Sequence, residues 1–232
     1  MAAQKDVSHR AALTKEVVLR AAVALADEAG AAVPSMRKLA DRLGVEAMSL
    51  YHHFRTKDLI LDGMVDHVFG EVELPPPVDY TAADRAAADW PEAMRRRAGS
   101  MRDALIRHPW AVSLMDSRTS PGHATLRHHN AVIGCLRSAG FSIAGAAHAL
   151  SVLDSYIYGY VLQQLSLPFA APDSVEDVAG PILEGLPRDE FPHLAEMIAD
   201  HAMKPGYDYT EEFDIGLDLI IDGLRRHREA WA

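Results

Sequence analysis

The chain has 232 residues, 49% of them hydrophobic, enough for a core of one long domain or two unequal ones and too apolar for a wholly disordered chain. A formal net charge of −10 excludes a protein that coats nucleic acid through its overall field. The charge is unevenly placed: residues 1–57 hold nine Lys/Arg against six Asp/Glu, and the remaining 175 hold 14 against 27, so a basic head precedes an acidic body.

The single cysteine, Cys135, excludes an internal disulfide framework. It lies in the apolar run Ala131-Val132-Ile133-Gly134-Cys135-Leu136, which points to an inert core thiol, with a redox or ligand contact as the alternative. Met1 to Asp6 lack the apolar core of a signal peptide and no run of about 18 apolar residues follows, so a cytoplasmic protein without membrane contact is expected.

Residues 1–12 are polar and predicted to be mobile. A helical period then begins at Thr14, with Val18, Ala21, Ala22, Leu25 and Ala29 on one stripe and Gly30 as the stop. Ser35 caps a short second helix, Met36 to Leu43, closed by Gly44; a third spans 46–54. Two helices joined this tightly, with glycine in the turn, read as helix-turn-helix. A fourth is predicted over Lys57 to Glu71, and Pro75-Pro76-Pro77 ends it. The body is predicted wholly helical, near 91–107, 109–117, 122–139, 142–166, 188–203 and 209–228, with Pro168 to Pro187 as a long loop holding at most one short helix. The fold class is therefore all-α with about nine or ten helices, divided into a head (1–57), a connecting helix (58–73), a linker (74–90) and a helical body (91–232).

Chemistry concentrates in residues 35–54. Leu39, Ala40, Leu43, Val45, Leu50 and Phe54 supply a small core, while Ser35, Arg37, Lys38, Ser49, Tyr51, His52 and Lys57 are available to phosphates and base edges. Periodicity alone leaves open a helical pair that merely packs.

The segment resembles the DNA-binding head of the tetracycline-repressor family of bacterial regulators. It meets every specified position of the pattern Thr/Ser-x-Arg-x-Leu-Ala-x-x-Leu-Gly-Val, four free positions, then Leu-Tyr-x-His-Phe. The resemblance implies that Arg37 reaches a base or phosphate, that Ala47, Met48, Ser49, Tyr51 and His52 meet DNA, and that Lys57 grips a phosphate. Ala47 and Met48 cannot form bidentate base hydrogen bonds, so an operator different from the tetracycline repressor's is expected.

In the body, Gly140 to Leu153 and Phe213 to Leu224 resemble the last two long helices of the tetracycline-repressor subclass, which pair in a homodimer. The stripe Phe213, Leu217, Ile220 and Leu224, with Gly216 and Gly223 permitting close approach, agrees; burial inside one subunit is the alternative. Matched ligand positions are Arg97, Met101, Met115, His129, Val132, Ile133, Leu150, Asp154 and, across the dimer, Gln163. Met115 falls where the subclass has a magnesium-binding histidine, and Glu73 near another of its histidines. A thioether is a poor magnesium ligand, so an uncharged or weakly acidic hydrophobic effector, without cofactor or metal, is expected.

The remaining features carry less. The histidines show no metal-ligand spacing. Asp214, Asp218 and Asp222 read as a solvated stripe, and Arg95-Arg96-Arg97 as a solvated or pocket-rim cluster, with a second DNA patch as the alternative. No Gly-rich phosphate loop, Gly-x-Ser-x-Gly elbow or paired metal motif occurs, so no enzyme is expected. The expected function is a dimeric, effector-released repressor on a palindromic operator. An activator or ligand-dependent co-repressor of the same fold is the alternative, and a protein-interaction module or enzyme a more remote one.

Overall fold

The computed structural model describes residues 13–30, 33–75, 90–168, 175–228 and 230, and among them there are ten α-helices and no strand. The polar segment 1–12 and most of the expected linker 74–90 lie outside the described residues. The chain divides into two units: residues 1–72 with Arg107–His128, and residues 73–106 with His129–Ala232.

The first unit begins with α1 (Lys15–Glu28), α2 (Met36–Leu43), α3 (Ala47–His53) and α4 (Lys57–Glu71). Three of the four starts, those of α1, α2 and α4, have a local cause in a capping side chain. Thr14, Ser35 and Thr56 accept hydrogen bonds from the backbone N–H of Val17, Lys38 and Leu59, satisfying amides that the first helical turn leaves over. Gly44 ends α2 at φ +64°, a left-handed conformation that glycine adopts without a Cβ penalty. Val18, Ala22, Ala26, Leu39, Ala40, Leu50 and Phe54 are buried, whereas Leu43 and Val45 of the expected small core are only half-buried.

Helix α4 buries Ile60, Leu61, Met64, Val65, Val68 and Phe69, more than one face's worth, because α1 covers one side and residues 107–128 hold another. A Cβ at Gly63 would stand 2.6 Å from Leu19, so α1 lies tight against α4. The helix expected over 109–117 is instead a single 3-10 turn, Pro109–Ala111, followed by turns. The cause is an anchor: the Trp110 indole, wholly buried, donates to Asp27 of α1 at 2.7 Å, and the neighbouring His108 Nδ1 contacts the same oxygen at 2.7 Å.

The second unit holds most of α5 (Trp90–Arg107), the end of α6 (His123–Ser138), α7 (Ile143–Ser166), α8 (Val175–Gly185), α9 (Pro192–Met197) and α10 (Glu211–His227). The segment expected as a loop carries the 11-residue α8, with Pro181 inside it. Its apolar face explains this: Val175 and Ala179 form a small core with Ile198, joined by Leu183, Leu186 and Tyr207. The helix expected over 188–203 starts only at Pro192 and continues as one π turn, Ile198–Ala202.

The expected dimer stripe requires correction. Phe213, Leu217, Ile221 and Leu224 are buried within the chain, where α10 packs on α7, and Ile220 is half-buried. Gly216 makes room for Tyr156 of α7 in the same chain. The apolar residues that α10 leaves in water are Ile215 and Leu219, 55% and 69% exposed.

Candidate nucleic-acid interface and ligand site

In the first unit α3 is held from behind by the wholly buried Leu50 and by Phe54, which turn the other residues outward. Met48, Tyr51 and His52 are exposed, and Ala47 and Ser49 are half-buried. Ser35, Arg37, Lys38 and Lys57 are exposed around them. The Ser35 hydroxyl is occupied as the cap of α2 at 3.3 Å from the Lys38 nitrogen, so toward phosphate it has only its O–H to donate.

Some cations of this unit are engaged by carboxylates, and others near α3 are not. Arg42 forms a two-pronged pair with Glu28, one contact being 3.0 Å, and Arg20 faces Glu16 at 3.7 Å. The hydrogen bond from Arg42 holds the Glu28 carboxyl below the usual carboxylate range. Arg37, Lys38, Arg55 and Lys57 are exposed with no ion pair to any described residue. Unpaired cations flanking a protruding helix make a surface that neutralises phosphates while the helix addresses the groove. Arg55 was not among the residues selected from sequence; its signal was its place between the recognition segment and Lys57.

In the second unit the matched ligand positions lie on single faces of three helices: Arg97 and Met101 on α5, His129, Val132 and Ile133 on α6, Leu150 and Asp154 on α7. Arg97, Met101 and Val132 are buried, and His129, Ile133, Leu150 and Asp154 half-buried. Arg97 and Asp154 meet directly as an ion pair. Gln163 is exposed and nine residues beyond Asp154, about 14 Å along α7. Met115 is buried in the first unit. The arginine run is neither fully solvated nor a cationic patch: Arg95 pairs with Asp218 at 2.7 Å, Arg96 with Glu73 at 3.3 Å, and Arg97 with Asp154. Cys135 is buried, and burial pushes its thiol up to about 11, so it carries no thiolate near neutrality.

Residues 18–64 match the family described as bacterial regulatory proteins, tetR family, and residues 83–228 match the tetracyclin repressor-like C-terminal domain. The chain belongs to the TetR family. It is a DNA-binding transcriptional regulator of the helix-turn-helix type. It is similar to an HTH-type transcriptional regulator of Saccharopolyspora erythraea, 32% identical over 95% of this chain and 88% of that protein. It is likewise 32% identical to the class A tetracycline repressor protein of Escherichia coli, over 93% of this chain and 92% of the relative. Among solved structures it is similar to the Streptomyces coelicolor TetR family protein ActR in complex with actinorhodin, with a TM-score of 0.76, 27% identity and coverage of 94% and 99% of the two chains. Among the described residues no helix is long and apolar enough to cross a membrane.

Proposed function

We propose that this TetR-family protein is a cytoplasmic repressor that binds a palindromic operator as a homodimer and is released by a small hydrophobic effector. The observation that carries the reading is the set of exposed cations without ion pairs to any described residue, Arg37, Lys38, Arg55 and Lys57, around the outward residues of α3. The groove contacts are Ala47, Met48, Ser49, Tyr51 and His52; Arg37, Lys38 and Lys57, with Ser35, fix register on the backbone.

Dimerisation is supported by the water-facing Ile215 and Leu219 of α10 together with Leu162 and Leu165 of α7, 52% and 43% exposed. The effector contacts are Arg97, Met101, His129, Val132, Ile133, Leu150 and Asp154 of the second unit, with Gln163 supplied across the dimer. Met115 and Glu73, in place of histidines, argue against a magnesium chelate, and the likeness to ActR, whose structure holds actinorhodin, supports an organic effector. Effector binding selects a dimer form in which the two heads no longer match half-sites, which lowers operator affinity.

The test is a gel-shift titration of the wild type and the double variant Arg37→Ala/Lys57→Ala at several salt concentrations. Wild-type affinity is expected to fall linearly on a log–log salt plot, and the variant to lose binding and show a slope reduced by about two. A folded variant that binds with unchanged affinity and slope overturns the assignment.

A further inference from the structure

We infer that this regulator reads its operator through thymine methyl groups, with Met48 as the principal contact; the inference rests on the placement of α3 in the major groove proposed above. The seven residues of α3 are Ala47-Met48-Ser49-Leu50-Tyr51-His52-His53, and Leu50 is spent on the core. None of the seven is Arg, Lys, Asn or Gln, the side chains that pair bidentately with guanine or adenine edges. Ser49, Tyr51 and His52 can each add single hydrogen bonds, which discriminate less. Any bidentate purine readout has to come from outside α3.

What α3 presents instead is an apolar tip. Met48 is 68% exposed, compared with 40% for Tyr51, 42% for Leu59 and 57% for Leu126 in the same unit. A thioether side chain left in water among cations that attract a polyanion gains by burial only when the duplex arrives. In the major groove one natural base edge offers an apolar partner, the C5-methyl of thymine. The half-buried Ala47 beside it widens the apolar surface without adding a donor. Met48, long and unbranched, can follow the methyl without a fixed rotamer.

The experiment selects duplexes from a random-sequence library with the full-length protein and then replaces each thymine of the selected site by uracil, removing only the methyl. At least one thymine in each half-site is expected to show an affinity loss of about fourfold on replacement. Met48→Leu retains that loss. Met48→Ala, weaker overall, binds thymine and uracil sites equally. In a repeated selection Met48→Gln, similar in length but polar at its tip, enriches a different base at the same position. The inference is overturned when no thymine shows a uracil penalty, when Met48→Ala keeps the penalty, or when Met48→Gln selects the wild-type base. Enrichment of no duplex sequence by the wild type would overturn the regulator reading itself, a distinct outcome.

Discussion

Thr125 donates both its backbone N–H and its hydroxyl to one oxygen of Asp66, at 2.8 and 2.9 Å, so a carboxylate on α4 caps the first turn of α6. A capping side chain from another helix ties two elements that are far apart in sequence. The same carboxylate explains Gly122, where a Cβ would stand 2.2 Å from Asp66. Asp66→Ala leaves the groups of buried Thr125 without this acceptor and is expected to cost about 1–3 kcal/mol. Gly122→Ala is expected to destabilise by displacing Asp66. Because both act on one carboxylate, the double variant should cost clearly less than the sum. Denaturant unfolding of the four proteins measures the coupling, and strict additivity would contradict this account.

The acid limb of the stability curve should depend on Glu71. Burial works against its charged form, but the Arg107 hydrogen bond, at 2.6 Å, and the charge of His108 outweigh it and hold its carboxyl below the usual range. A depressed carboxylate contributes stability that is present above its unfolded value, about 4.3, and is lost as pH falls through the lower folded value. His108 stands 2.7 Å from Asp27 and 3.4 Å from Glu71, so the tie from α1 reaches α4 through the Glu71 carboxylate. Glu71→Gln is therefore predicted to flatten the decline of stability below about pH 4. Thermal unfolding at a series of acidic pH values checks this, and an unchanged acid limb in the variant refutes it.

These ties also show what sequence could not disclose. The bounds of α2 and α4 are legible because their signals are local: Ser35 and Gly44 bracket one, and Thr56 starts the other. The turn at Pro109 is set by Asp27, some eighty residues earlier, and no window around Trp110 contains that partner. Helical period in α10 reveals two apolar faces without saying which turns inward; the tyrosines of α7 decide, and they leave Ile215 and Leu219 outside. Around α3, sequence identifies the outward polar residues but gives no measure of how exposed Met48 is, nor that Glu28 engages Arg42 while Arg55 has no ion pair with any described residue.

Gly216 should resist substitution. A Cβ there would stand 2.2 Å from the Tyr156 hydroxyl oxygen and 2.8 Å from the ring. That hydroxyl donates to the carbonyls of Glu212 and Phe213 at 3.1 and 2.9 Å, and burial pushes its phenol up to about 12, so it stays a donor across the accessible pH range. Gly216→Ala must push the ring off the start of α10, at an expected cost of about 1–3 kcal/mol. Tyr156→Ala, which empties the same space, should make a second Ala at 216 nearly neutral. Melting temperatures of the single and double variants decide, and a Gly216→Ala protein as stable as wild type would show that the contact can relax.

The buried pair Arg97 and Asp154 offers the sharpest separation of stability from ligand binding. The Arg97 side chain is fully buried and that of Asp154 is 16% exposed, so each charge has given up most of its water and the ion pair offsets part of that cost. Removing either member takes a buried counter-charge from the other, and Arg97→Met or Asp154→Leu alone is expected to cost about 3–5 kcal/mol. Replacing both at once removes the imbalance of charge, and the double variant should recover most of the loss. If the pair serves only the fold, that double variant will still release DNA when challenged with an effector that works on the wild type. If it anchors the effector, as proposed, the double variant will fold, bind operator and fail to respond. Unfolding curves and effector-titrated gel shifts on the same four proteins distinguish the two, and a stable, fully responsive double variant removes Arg97 and Asp154 from the ligand site.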